Sequence, residues 1–301
     1  MPMKASILLL GLFLCILAGF SESRANALRV QDWAGVVRTL EPKRGQNIEQ
    51  DLELARAYLA LERRAEALKV AGAWFRDERA KSLHQIAQTT FFSQETADLY
   101  YEGMRWLGLG RFQDAQERFA QAHARESGHV LVLTRLIHAE LVLGRKDQAK
   151  TRWLEARSLG AMSRELRVYG LKLLVADAFT PAEDYRSGVA SKSECLTEEV
   201  PAAFYAEYLV KTGRGPELRG LLRQWMDQKP DWVLPLIRGM NATGLPDDLR
   251  KKIKARLEKH LKDRTLFETR MEREGQRPWS GFLRYDDLVK ELAGLTAAGT
   301  R

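Results

Sequence analysis

The sequence predicts an all-α chain, a right-handed solenoid of helix–turn–helix repeats closed by a carboxyl-terminal helical cap. Three observations carry that expectation. Segments of the chain recur at one fixed offset, apolar residues recur at helical spacing, and no proline occurs between Pro42 and Pro181. An all-β sandwich needs turn punctuation far more often than so long a proline-free stretch allows.

Composition narrows the class further. Of 301 residues, 45% are hydrophobic and 29% charged, enough to bury a large core and too apolar for a disordered chain. Two cysteines, Cys15 and Cys195, exclude a disulfide scaffold and a cysteine-rich zinc module. The formal net charge of +8 is modest for this length. It does not point to nucleic acid without a concentrated patch.

Residues 1–27 read as an export signal. Lys4 precedes an apolar run from Ala5 to Phe20, and Ala25-Asn26-Ala27 supplies the small-x-small pattern of a cleavage site. The run is shorter than the roughly 20 residues a membrane-spanning helix needs, so cleavage after Ala27 is expected. A periplasmic or secreted product follows, with an uncleaved amino-terminal anchor as the alternative. Cys15 does not fit a lipid-attachment site, because Leu14 stands where a small residue is required. Cleavage leaves Cys195 without an intramolecular partner, and a small buried group is its expected role.

Residues 28–232 carry the repeats. Adding 34 maps Gly110-Arg111 onto Gly144-Arg145, Ala115 onto Ala149, Phe119 onto Trp153 and Ala122 onto Ala156. The register defines units at 96–129 and 130–163, with looser units at 48–81, 164–198 and 199–232. A leading helix is expected over Val30–Leu40. Ala67 lies well over one period before Ala115, and the excess places an insert at Ser82–Glu95. Leu218 lies two periods and one position after Ala149, so an atypical unit is expected between them. It comprises a helix through Leu174, a turn at Thr180-Pro181 and a second helix. His129-Val130-Leu131-Val132-Leu133 has strand propensity, but its place inside the period assigns it to a helix. Gly110 and Gly144 fall at hairpin turns, where positive φ costs glycine nothing. No unit can bury its apolar face alone, so the units must stack.

This pattern resembles the tetratricopeptide repeat family, whose unit is a helix–turn–helix of the same period. The unit at 96–129 supplies Leu99, Gly103, Trp106, Gly110, Phe112, Ala115, Phe119 and Ala122 at the family's signature positions. It departs at Ser127, where the family usually has proline, and the next unit has Ile137 at the small-residue site. In this family the first helix of each unit lines a concave groove that holds partners. The resemblance therefore implies groove contacts at Leu52, Arg56 and Leu59, at Tyr100, Met104 and Leu107, and at Leu131, Thr134, His138 and Leu141. The insert at Ser82–Glu95 and the terminal region are the alternative occupants of this face, and these side chains are then core.

Residues 233–301 form a carboxyl-terminal helical region. Pro235, Gly239, Gly244 and Pro246 mark the change, and Asp247-Asp248 opens a helix with Leu249, Ile253, Leu257 and Leu261 at spacing four. Between Arg250 and Arg264 lie eight basic side chains, Arg250, Lys251, Lys252, Lys254, Arg256, Lys259, Lys262 and Arg264, against two acidic ones. A solvated face of a capping helix explains them, and so does a contact with an anionic membrane or cell-wall surface. Arg277-Pro278-Trp279 ends the helical stretch, and Asp286–Leu295 is expected to form a last helix.

The search for chemistry returns no constellation. His84, His123, His129, His138 and His260 contain no His-Glu-x-x-His zinc motif. Gly-Leu-Gly at 108–110 and Gly-Arg-Gly at 213–215 follow helices rather than strands. Asp247-Asp248 and Asp286-Asp287 are adjacent and point apart, as helix caps do. Asn241-Ala242-Thr243 matches a glycosylation acceptor, a triplet common by chance. The sequence therefore predicts a non-catalytic adaptor without cofactor or metal, whose partner is an envelope protein or peptide. The alternative is a peripheral factor that binds an anionic surface through the basic helix. Neither involves nucleic acid.

Overall fold

The computed structural model describes residues 32–160, 162–179, 188–240, 242, 244–273, 279 and 281–298. The expected export signal lies outside the described residues, as do Pro181, Arg277 and Pro278. The described residues form sixteen α-helices and no strand, and the helices pack in neighbouring pairs. The chain divides into two compact units, Met1–Leu83 and His84–Arg301.

In the first unit, α1 (Trp33–Leu40) falls inside the expected leading helix. Asp32 caps it by accepting the Gly35 amide at 2.8 Å. α2 (Ile48–Ala60) starts at Asn47, whose side chain accepts the Glu49 amide. It packs against α3 (Arg64–Gly72), burying Leu52, Leu54, Ala55 and Tyr58 together with Ala67, Leu68 and Ala71. The division between the units falls within α4 (Glu78–Thr89), which turns most of the expected insert into a helix.

The second unit contains the pairs α5 (Gln94–Gly108) with α6 (Phe112–Arg125) and α7 (Val130–Val142) with α8 (Lys146–Ser158). α9 (Arg164–Val175), α10 (Lys192–Cys195), α11 (Glu199–Lys211) and α12 (Gly215–Gln228) follow. The turn expected at Thr180-Pro181 in the atypical unit lies outside the described residues. Between α9 and α11 the described residues form only the short α10, which a capping box of Ser191 and Glu194 closes.

The carboxyl-terminal region departs from expectation. The punctuated stretch after Trp232 contains α13 (Leu234–Met240), with Pro235 tolerated in its first turn. α14 (Asp247–His260) does not run on to Arg277-Pro278. It stops at Leu261, and Asp263 accepts the Leu266 amide at 3.1 Å to start α15 (Arg264–Arg273) afresh. α16 (Tyr285–Ala298) contains the last expected helix.

One turn geometry recurs where first helices end. Glu62, Gly110, Gly144, Asp177 and Gly213 have φ of 58°, 71°, 74°, 55° and 66°. In each case the next amide reaches back five positions: Arg63 to Tyr58, Arg111 to Trp106, Arg145 to Glu140, Ala178 to Leu173 and Arg214 to Leu209, at 2.8–3.0 Å. This six-to-one bond satisfies a carbonyl that a helix end would otherwise orphan, and it reverses the chain tightly. The turns at Glu62 and Asp177 carry no glycine, so the glycine pattern alone does not find them.

The helices approach closely where a first helix lacks a Cβ. A Cβ at Gly103 would lie 2.6 Å from the Phe119 ring, and one at Gly170 would lie 2.7 Å from Trp153. Trp153 is fully buried, and its indole N–H donates to the Leu166 carbonyl at 2.7 Å. Gly103→Ala is therefore expected to lower stability by about 1–3 kcal/mol through overpacking. Gly108→Ala, with no atom within 4 Å of the added Cβ, is expected to be neutral or mildly stabilising. Urea denaturation of the two variants checks the contrast.

Candidate functional site

The row of first helices is the expected groove, and the described structure places its ten candidate side chains unevenly. Arg56 is exposed, while Leu59, Met104, Leu131 and Leu141 are half-buried. Leu52, Tyr100, Leu107, Thr134 and His138 are buried. Thr134 commits its hydroxyl to the Val130 carbonyl at 2.7 Å, and Leu107 belongs to the core between α5, α6 and α7. These buried side chains meet their neighbours in the fold and offer little surface to a partner.

Two segments of the chain cover this row. Phe91, from the linker after α4, lies 5.3 Å from the Tyr100 ring and stacks on His129 at 4.1 Å between centroids. From the other end of the chain, Trp279, Gly281 and Phe282 lie against α6, α7, α9 and α11. Trp279 meets Tyr169 edge-on at 5.7 Å and donates its indole N–H to Glu198. Gly281, at φ +91°, sits so near Phe112 and Val142 that an added Cβ would lie 2.7–2.8 Å from them. Phe282 meets His138 and Phe204 edge-on, each at 5.2 Å. Beyond it, Glu291 of α16 accepts from Arg238 at 2.7 Å.

Beneath this cover runs a chain of polar groups. Arg135 donates to both Glu165 oxygens, at 2.7 and 3.1 Å, and the Tyr169 hydroxyl donates to Glu165 at 2.8 Å. With its proton committed there, Tyr169 is the acceptor for His138 Nδ1–H at 2.8 Å. Burial first, and then the Glu165 charge, push the Tyr169 pKa well above its ordinary value. A second buried carboxylate, Glu199, accepts the Val233 and Leu234 amides at 2.6 and 2.9 Å and pairs with Arg270 at 3.1 Å. It ties α11 to α13 and α15, and burial raises its pKa.

The basic helix is only partly free. Lys254 pairs with Glu258 at 3.8 Å, and Arg264 pairs with Glu268 and Asp286 at 2.8 and 3.3 Å. Arg250 donates to the Met240 carbonyl, and Arg256 is half-buried. The exposed positive charge falls on Lys251, Lys252, Lys259 and Lys262.

A cavity of about 220 Å³ lies away from the first-helix row. Gln116 and Ala120 of α6, Glu140 of α7, and Gln148, Thr151 and Arg152 of α8 line it. Spacings of four on α6, and of three and four on α8, put each set on one helix face. Glu140 is only 2% exposed, and its Oε2 has no hydrogen-bond partner among the described residues. Burial pushes its pKa up to about 7, against the lowering pull of Arg152, Arg145 and the Gln116 amide. The legible signal was a carboxylate inside the apolar run Ile137-His138-Ala139-Glu140-Leu141-Val142-Leu143. Nothing in the sequence marks Trp279, Gly281 and Phe282 as partners of helices so much earlier in the chain.

Cys195 is buried, and desolvation pushes its thiol up to about 12, as a small apolar role requires. Among the described residues no group of three His, Cys, Asp or Glu side chains could hold a metal ion, and no helix is long and apolar enough to cross a membrane. Comparison with protein-family models, curated proteins and solved structures returns no match.

The Glu140 shift has a measurable consequence. Between about pH 4.5 and about 7 the folded chain holds a proton there that the unfolded chain releases, so this group lowers stability as pH rises. The loss is on the order of 3 kcal/mol above the folded pKa. Glu140→Gln is expected to remove that component. The wild-type-minus-variant stability difference, from urea denaturation at about pH 5 and about pH 8, should become more negative at the higher pH.

Proposed function

We propose that this chain is a non-catalytic scaffold of the tetratricopeptide type, exported to the cell envelope, where it holds a protein or peptide partner. Recurrence of a single turn at Gly110, Gly144, Asp177 and Gly213 of the second unit carries the reading, because it supports stacked helix pairs of the kind that present a row of first helices, and the first unit repeats the turn at Glu62. In the second unit the pairs are read as stacking in the right-handed sense of that family.

The partner is assigned to the part of the row that the chain's own segments leave open. Tyr101 of α5 is 64% exposed, 6.2 Å from Phe91 between ring centroids, and Met104 lies half-buried one turn on. A rigid aromatic beside an adaptable thioether suits a recognition surface. Crosslinking and pull-down from the envelope fraction tests the assignment. A Tyr101→Ala, Met104→Ala variant is expected to lose the partner that the wild type retains, with its melting temperature unchanged within a few degrees. The recovered bait is expected to begin at Leu28. Equal recovery by both baits counts against this surface.

One observation favours a second reading. Lys251, Lys252, Lys259 and Lys262 share α14 and its end, all exposed. Such a patch suits an anionic membrane or cell-wall surface. Under that reading, sedimentation with anionic vesicles is salt-sensitive, and replacing these four lysines by glutamine abolishes it.

A further inference from the structure

The cavity between α6 and α8 is a second feature, independent of the first-helix row. Its walls carry a carboxyl group and a guanidinium that do not bond to each other. Glu140 and Arg152 line the same space, yet no ion pair joins them among the described residues. Arg152 turns one nitrogen to His123 Nε2, at 3.2 Å, and through the same nitrogen forms an ion pair with Glu155 at 3.6 Å. Its planar fork retains further donors. Arg145 donates to Gln116 Oε1 at 3.0 Å and so holds that carboxamide on the cavity wall. Thr151 donates to the Asp147 carbonyl at 3.0 Å, which leaves its oxygen able to accept.

Charge decides what fits. A bare cation attracted to Glu140 meets the Arg152 guanidinium, and a simple anion attracted to Arg152 meets the Glu140 carboxylate. A molecule bearing both charges suits each wall. Size sets a second limit. At about 220 Å³ the cavity falls below the roughly 300–1,000 Å³ of sites for drug-sized ligands.

We propose that this cavity binds a small zwitterion, a free α-amino acid with a short side chain, its ammonium on Glu140 and its carboxylate on Arg152. Gln116, Gln148 and Thr151 supply the remaining polar contacts. Because Gln116 and Ala120 belong to one repeat and Glu140, Gln148, Thr151 and Arg152 to the next, the ligand bridges two consecutive helix pairs.

Isothermal titration of the mature chain with glycine and L-alanine tests the proposal, with L-alanine methyl ester, N-acetyl-L-alanine, methylamine and acetate as controls. Saturable one-to-one binding of glycine or alanine is expected, weakened at least tenfold in each control, since each lacks one of the two charges. Arg152→Gln, at a side chain on the cavity rim, keeps the fold and is expected to weaken alanine binding at least tenfold. Glu140→Gln is expected to do the same. The absence of saturable binding by both amino acids overturns the proposal. Methylamine or acetate binding as tightly as alanine overturns it too, as does wild-type affinity in Arg152→Gln.

Discussion

Helix pairs in this protein depend on aromatic side chains that enter a neighbouring helix at a residue without a Cβ. Phe119 does so at Gly103, within its own pair, and Trp153 does so at Gly170, in the helix that follows its pair. The difference follows from one substitution along the repeat. Ile137 stands where Gly103 stands one period earlier, so the second unit lacks the small site within its first helix. Trp153 is received by the next helix, and its indole N–H is satisfied by that helix's Leu166 carbonyl. One interlock closes a pair and the other joins two pairs, which is how short helices with little core of their own come to share one.

Covering the first-helix row creates a different demand. Tyr169 and His138 lie against Trp279 and Phe282, and buried polar groups are costly unless they find partners. The bidentate Arg135–Glu165 pair, the Tyr169 hydroxyl and the His138 ring are linked in sequence across α7 and α9, with the Arg135 Nε left without a partner among the described residues. Glu199 plays the same part for α11, α13 and α15, where its oxygens hold two backbone amides and Arg270. The terminal region is thus joined to the repeats through charge as well as aromatic contact. Glu140 is buried with one oxygen unmatched, and that burial raises its pKa.

Much of this architecture was legible. Gly110-Arg111 and Gly144-Arg145 announced two turns, the repeat offset located α5 to α8, and Asp247-Asp248 announced the start of α14. The turns at Glu62 and Asp177 were hidden because residues that strain to adopt positive φ occupy them. The turn expected at Thr180-Pro181 and the start of the helix after it lie outside the described residues, which resume before Lys192–Cys195. Of the candidate groove residues, helical spacing found the correct helices. It could not tell a solvent-facing Tyr101 from a buried Tyr100 next to it, because the difference lies in Phe91 and Phe119.

From its residues alone this chain determined that it is helical, where its helix pairs repeat, and which small residues permit close approach, because those properties are local in the backbone and periodic along it. Only the tertiary structure decided that Phe91, Trp279 and Phe282 lie against side chains of the first-helix row, and that Glu140 and Arg152 line one cavity without bonding to each other. Those outcomes rest on contacts between segments far apart in the chain. Which distant side chain comes to rest on which helix is settled by shape, charge and burial acting together, and no period records it.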